Sequence, residues 1–162
     1  MKSEKVRKKI LTRSELLLQV NKWKLNSEVI VFTNGCFDLI HPGHVTYLVQ
    51  AADQGTKLIV ALNTDNSVRK LKGNHRPIID ENGRALVMAS FEFVDAVVLF
   101  DEDTPENLIS EIIPRILIKG KDYQIEEIAG HKTVIENGGQ VITIELVPGY
   151  STTAIENKIK KQ

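Results

Sequence analysis

The 162-residue chain has one cysteine, Cys36, so no internal disulfide framework can staple it. A lone thiol fits a reducing compartment. Neither sign of charge is in excess: 21 basic and 21 acidic residues cancel. That balance argues against a protein that holds nucleic acid by bulk electrostatics. Aromatics are also missing from among the lysines of Lys2–Lys9, where a nucleic-acid or partner-binding arm would interleave them. Apolar runs stop at five residues, as in Leu58–Leu62, whereas a membrane helix needs about 20. The first ten residues are charged and no secretory signal follows. Phosphate-loop and dinucleotide fingerprints are absent, which removes kinase, GTPase and NAD-enzyme readings. Nor is there a repeat, a low-complexity tract or a Pro/Gly/Ser linker. The expectation is a soluble cytoplasmic protein with no nucleic-acid or membrane partner.

What is present is an ordinary globular balance, 42% apolar and 26% charged. A chain this long buries roughly two-thirds of its unfolded surface without staples. Residues 1–10 carry five basic residues and one acid, which reads as a basic, flexible N-terminus; residues 11–162 read as one domain. Leu16, Val20 and Trp23 share a helical face. Val29–Phe32 is short, apolar and rich in β-branched residues, as buried strands are, and the apolar run Leu58–Leu62 reads as a second buried strand. Helices are expected over Val45–Ala52, Arg84–Phe93, Pro105–Ile113, His131–Asn137 and Thr152–Lys160, with Gly55 as a C-cap. Further strands are expected at Ala96–Phe100, Arg115–Ile118 and Val141–Leu146. This alternation predicts an α/β fold: a Rossmann-like, parallel five-stranded sheet in the order 3-2-1-4-5, with helices on both faces. Ligands of such sheets bind beyond the carboxyl ends of the strands.

The loop after the first strand reads Thr33-Asn34-Gly35-Cys36-Phe37-Asp38-Leu39-Ile40-His41-Pro42-Gly43-His44. Pro42 suits the first helical position, which puts His41 at the N-cap and His44 in the first turn. Free backbone N–H groups and the helix dipole make an anion site there. Two imidazoles add donors aimed at the same anion; the bland alternative is two surface histidines beside a turn. Zinc is a weaker rival, because the pair lacks the adjacent Glu of a metalloprotease helix and an evident third ligand. Arg69, Lys70, Lys72 and Arg76 form a basic segment, read as a loop that Gly73 lets flex toward phosphates. Ser151-Thr152-Thr153 puts three hydroxyls at a helix start, where capping alone would account for Ser151 or Thr152. Cys36 reads as a small packed residue.

Asn-Gly-x-Phe-Asp-x-x-His-x-Gly-His after a buried strand resembles the nucleotidyltransferase superfamily that shares the H-x-G-H motif. Leu62-Asn63-Thr64-Asp65, Leu71-Lys72-Gly73, Arg76-Pro77, Val94-Asp95, Glu102-Asp103-Thr104-Pro105, Lys119-Gly120-Lys121-Asp122-Tyr123 and Ser151-Thr152-Thr153 follow in register. Together, over about residues 10–160, they resemble the heptose 1-phosphate adenylyltransferases of ADP-heptose synthesis.

The resemblance implies a nucleotidyltransferase that joins ATP and D-glycero-D-manno-heptose 1-phosphate to ADP-heptose and pyrophosphate, for surface-glycan (lipopolysaccharide core) precursors. It implies catalytic roles for His41, His44 and Lys72. Thr33, Asn34, Gly35, Phe37, Lys119, Gly120, Ser151, Thr152 and Thr153 are expected at the nucleotide. Asp38, Asn63, Asp65, Arg76 and Arg84 are expected at the sugar phosphate. The family's glutamate two residues before that last arginine is Asn82 here. Mg²⁺ is expected through the nucleotide phosphates, with no protein ligand set for a metal, and the chain is expected to form a homodimer or higher homo-oligomer. The chemistry agrees with the residues. Phosphoryl transfer without a covalent intermediate calls for alignment and charge neutralisation, hence converging donors and cations and no Ser-His-Asp triad. The alternative is a cytidylyltransferase acting on glycerol 3-phosphate or a similar small phosphate. Against it, Leu146-Val147-Pro148-Gly149-Tyr150 lacks the arginine which that relative carries before its Ser-Thr-Thr.

Overall fold

The computed structural model describes residues 1–161; Gln162, the last residue of the expected domain, lies outside them. In chain order the elements are α1 (Lys2–Arg7), β1 (Ile10–Leu11), α2 (Arg13–Leu25), β2 (Ile30–Gly35), α3 (Pro42–Ala52), β3 (Lys57–Asn63), α4 (Asp65–Lys72) and α5 (Glu81–Ser90). There follow β4 (Ala96–Phe100), α6 (Glu106–Ile112), β5 (Ile116–Gly120), α7 (His131–Glu136), β6 (Gln140–Ile144) and α8 (Thr152–Lys160).

The sheet is parallel throughout, in the order β1-β4-β3-β2-β5-β6. The five expected strands take the expected 3-2-1-4-5 order. The count is corrected to six by β1, whose Ile10 and Leu11 pair with Val97 and Val98. Two residues are too few for an alternating pattern to register. The same pairing bears on residues 1–10. They are not frayed: α1 packs on α5, and Lys9 donates from Nζ to the Phe91 carbonyl at 2.9 Å.

Both faces of the sheet are covered, so its central strands are apolar on both sides. On one face α2, α6 and α7 bury Leu16, Val20, Leu108, Ile109 and Val134 against Phe32 and Leu117. On the other, α3 and α5 bury Leu48, Ala51, Ala85 and Met88 against Val31, Val60 and Ile118. Gly55 lies beyond the C-cap Asp53 rather than at it. A Cβ at Gly55 would fall 2.6 Å from the Val29 carbonyl oxygen, so its role is close approach to the sheet.

Strand order reverses between β2 and β5. The chain moves outward from β2 through β3 and β4, then returns to β2's other side. The crevice at the carboxyl ends of β2 and β5 is where such sheets bind ligands.

Candidate active site

A cleft of about 660 Å³ opens at that crevice. Of the residues expected at the site, all but Thr33, Asp65 and Arg84 line it. His41 is the N-cap of α3 and Pro42 its first residue. The His41 Nδ1 accepts from the His44 backbone N–H at 3.3 Å, which leaves Nε2 as the protonated nitrogen of a neutral ring. The two imidazoles stack, with centroids 3.8 Å apart. Phe37, at φ 45°, sets its ring 5.2 Å from that of His44. A Cβ on Gly35 would come within 2.9 Å of the Phe37 ring, so glycine is what lets this turn form.

Burial pushes the His44 pKa down to about 4, with the charges of His41 and Lys72 adding to it. Its Nδ1 is buried and has no hydrogen-bond partner among the described residues. Buried polar atoms are paired in the great majority of cases. A neutral imidazole at the positive end of a helix is suited to donate to an oxyanion. Burial lowers the His41 pKa as well.

At the end of β5, Lys119 donates from Nζ to the Asn34 carbonyl at 3.2 Å and lies 5.2 Å over the Tyr123 ring. This bond ties β5 to β2 at the point of reversal. Burial lowers the Lys119 pKa. Asn34 Oδ1 is buried without a partner among the described residues. Thr33 sits beneath, sharing a 2.8 Å hydrogen bond with the Tyr47 hydroxyl. It supports the loop from below, not as a wall of the cleft.

The basic segment is corrected: Asp65–Lys72 is helical, and the irregular stretch begins at Gly73, with φ 93°. Thr64 caps α4 by accepting from the Ser67 N–H. Charged and polar side chains dominate α4, which buries only Ser67 and Val68. Of the four cations, Lys72 and Arg76 line the cleft; Arg69 and Lys70 are not among its wall residues.

Asp38 is held within the protein. It accepts from Arg76 Nε at 2.6 Å and from the Ile78 and Ile79 N–H groups at 2.9 Å. Burial alone would raise its pKa; the Ile79 and Ile78 amides and Arg76 outweigh that and hold it below the ordinary value. Arg84, 2% exposed, donates to the Ile79 carbonyl, the Cys36 carbonyl and Asp65 at 2.7–3.0 Å. It braces the first loop from behind and does not face the cleft. Glu81, three residues before Arg84, accepts from the Asp65 N–H at 2.7 Å. Asn63 lines the cleft and donates to Ser67 Oγ at 3.0 Å.

The hydroxyls of the last helix divide their labour. Ser151 is the N-cap of α8 and accepts from the Ala154 N–H at 3.0 Å. Thr152 and Thr153 line the cleft with no such bond among the described residues. The starts of α3 and α8 abut. A Cβ on Gly43 would stand 3.2 Å from Tyr150 Cβ, and Tyr150 stacks at 6.3 Å from His41.

Sequence reasoning assigned no part to several further wall residues, among them Phe100, Asp103, Thr104 and Ile128. Asp122 and Tyr123, which follow Lys119-Gly120 in the chain, line the cleft as well. Arg13 fixes the 101–105 loop through ion pairs to Glu102 at 2.6 Å and Glu111 at 2.7 Å.

This arrangement can be compared with known proteins. The cytidylyltransferase-like family model matches residues 32–158, which includes both helix starts and both strand ends. The chain belongs to the cytidylyltransferase-like family. That agrees with the nucleotidyltransferase resemblance of its motifs. Among curated proteins it is 50% identical over 151 residues to the bifunctional protein HldE of Methylobacillus flagellatus. It is 52% identical over 151 residues to HldE of Actinobacillus pleuropneumoniae. Each alignment covers 93% of the chain but 31% and 32% of the relative, so the chain spans about a third of their length. A solved lipopolysaccharide core biosynthesis protein from Thermoplasma volcanium superposes with a TM-score of 0.60 at 27% identity, covering 74% of this chain and 97% of that one. Pantoate-β-alanine ligase from Francisella tularensis superposes at 0.61 with 14% identity, covering 94% and 78%, which is a likeness of fold.

Proposed function

We propose that the protein transfers the adenylyl group of ATP to D-glycero-D-manno-heptose 1-phosphate, giving ADP-heptose and pyrophosphate. The observation that carries this reading is the abutment of two helix starts across one cleft, one bearing the stacked His41–His44 pair and the other Thr152 and Thr153. The HldE relatives and the lipopolysaccharide core protein support the sugar branch of the family. The glycerol 3-phosphate cytidylyltransferase alternative is disfavoured by these relatives and by the absence of arginine from Leu146–Tyr150.

In this reading a phosphate oxygen of the sugar attacks the α-phosphorus, and the bond to the β-phosphate oxygen breaks. His44 and His41 donate to α-phosphate oxygens as charge develops there. Lys72 and Lys119 neutralise the triphosphate, while Thr152, Thr153 and the α8 amides hold its tail. Asn34, Gly35, Phe37 and Gly120 shape the nucleotide side. Arg76 and Asn63 face the sugar phosphate; Asp38, Asp65 and Arg84 act behind them as braces.

Mg²⁺ would be held chiefly by phosphate oxygens and would neutralise charge on the leaving pyrophosphate. The wall residues fit an ion delivered with the nucleotide. Asp103 and Asp122 open on the cleft, whereas among the described residues no three His, Cys, Asp or Glu side chains converge. No described helix is long and apolar enough to cross a membrane. We place the reaction in the cytoplasm, on soluble substrates, in a single nucleotidyltransferase domain of residues 11–162, to which Ile10 of β1 and α1 are joined by packing, and which assembles as a homodimer or higher homo-oligomer. The test supplies each of the four NTPs with heptose 1-phosphate or glycerol 3-phosphate and measures pyrophosphate release. ATP with heptose 1-phosphate is expected to dominate; CTP with glycerol 3-phosphate dominating would overturn the reading.

A further inference from the structure

Helix α8 carries part of the cleft wall at its start, yet none of its residues is buried. The lead-in over 145–151 is almost entirely exposed as well. Apolar burial therefore does little to fix where Thr152 and Thr153 stand. What α8 does have is Glu156, one turn further on. Its Oε2 accepts from Arg76 Nη1 at 3.1 Å, and its Oε1 accepts from Lys160 Nζ at 2.8 Å. The Arg76 side chain is 6% exposed and that of Glu156 18%. Arg76 in turn donates from Nε to Asp38, whose side chain is 1% exposed. Three charges thus run inward from α8 to the loop that precedes His41.

We infer that Glu156 is a positioning residue: through Arg76 it docks α8 and so sets the Thr152–Thr153 wall of the nucleotide site. The pair is well suited to this. A shielded ion pair is directional, and losing one partner matters far more than for a surface pair. The guanidinium divides its nitrogens, Nε inward and Nη1 toward α8. Nη2 has no protein partner among the described residues and stays available to a ligand phosphate. Removing the Glu156 charge leaves the Asp38–Arg76 pair in place, so the first loop keeps its support while α8 loses its tether. The inference rests on the reading of Thr152 and Thr153 as nucleotide-holding, and the test separates the two.

The experiment compares Glu156→Gln and Glu156→Asp with the unmodified full chain. Amide hydrogen exchange of α8 is followed first, because it needs no turnover. Gln should speed exchange over residues 154–160 by about tenfold relative to the sheet strands. Steady-state kinetics follow: Gln should raise KM for ATP about tenfold, with a smaller rise in KM for the sugar phosphate, since Arg76 keeps its Nε bond to Asp38, and with cooperative melting retained. Asp keeps the charge and should recover most of both effects. Unchanged α8 exchange in Glu156→Gln overturns the docking role. Faster exchange with an unchanged KM for ATP overturns the link to the nucleotide. An unmodified chain that releases no pyrophosphate with any NTP overturns the proposed function, and exchange still decides the role of Glu156.

Discussion

His41 and His44 stack face to face, ring centroids 3.8 Å apart and planes 18° from parallel. Two imidazolium ions cannot share that spacing cheaply, so each ring disfavours protonation of the other. Burial of His44 acts in the same direction and is the larger cause, taking its pKa to about 4. Near pH 7 the pair is neutral, and it presents N–H donors without adding fixed positive charge.

The first prediction is His44→Ala. Loss of one oxyanion-type donor should lower kcat by roughly 10²–10³, with the fold intact because the residue sits at a helix start. The pH dependence of stability has a definite sign. The folded pKa lies below the unfolded value of 6.5, so the unfolded chain binds the extra proton first. Stability contributed by neutral His44 is complete above pH 6.5 and is lost as pH falls toward 4. Urea unfolding at pH 7 and pH 5 should show a decline that shrinks in His44→Ala. A variant with normal kcat removes His44 from the chemistry.

Lys72 stands at the end of α4, on the cleft wall, and its charge is one of the causes that depress His44. Lys72→Met keeps the aliphatic stem and deletes the charge. It should raise KM for ATP, lower kcat, and move the His44 pKa upward from about 4, as followed by the imidazole NMR signals. Kinetics equal to the unmodified enzyme would transfer the phosphate role to Arg76.

Much of this was legible in the sequence because it is local. The Pro42 helix start with His41 as its cap follows from four residues, and the strand order follows from the alternation of elements. What escaped depends on distant partners. Helix α4 looks like a basic loop because Val68 is its single buried apolar residue, too little for a helical period to register. Arg84 was read as a ligand because nothing nearby in the chain says that the Cys36 carbonyl, 48 positions away, is its acceptor. Glu156 gave no signal at all, since its partner Arg76 lies 80 residues earlier.

The N-terminal segment gives a separate test. Deleting residues 2–9 removes α1 and the Lys9–Phe91 bond, none of which touches the cleft. Turnover should persist while the melting temperature falls by a few degrees, since about 1 kcal/mol is worth roughly 2–4 °C in a domain of this size. Lost turnover at a temperature where the truncated protein is folded would give the segment a part in the reaction.

At the start of α8 the two roles of the hydroxyls are separable. Ser151 accepts the Ala154 N–H, so Ser151→Ala should cost about 0.5–2 kcal/mol of stability and leave ATP affinity per folded molecule nearly unchanged. Thr152→Val deletes a cleft hydroxyl that makes no cap bond. It should weaken ATP binding while the melting curve barely moves. Calorimetric titration and a melting curve on the same samples decide; weaker binding in Ser151→Ala alone would reverse the assignment.

Arg84 is the sharpest test of brace against ligand. Its side chain is fully buried, and its three acceptors are two backbone carbonyls and the Asp65 carboxylate. Arg84→Met fills similar volume but strands those acceptors, and breaking such a buried pair costs about 3–5 kcal/mol. For a chain of this size that corresponds to a melting temperature lower by roughly 6–20 °C. The Cys36 carbonyl would then be free to shift, and with it the loop that carries Phe37 and Asp38. Both substrates' KM values should therefore rise together, measured at a temperature where the variant is folded. A direct ligand would behave in the opposite way: the melting curve would hold, and KM for the sugar phosphate alone would rise. That second pattern would return Arg84 to the cleft wall, against the geometry seen here.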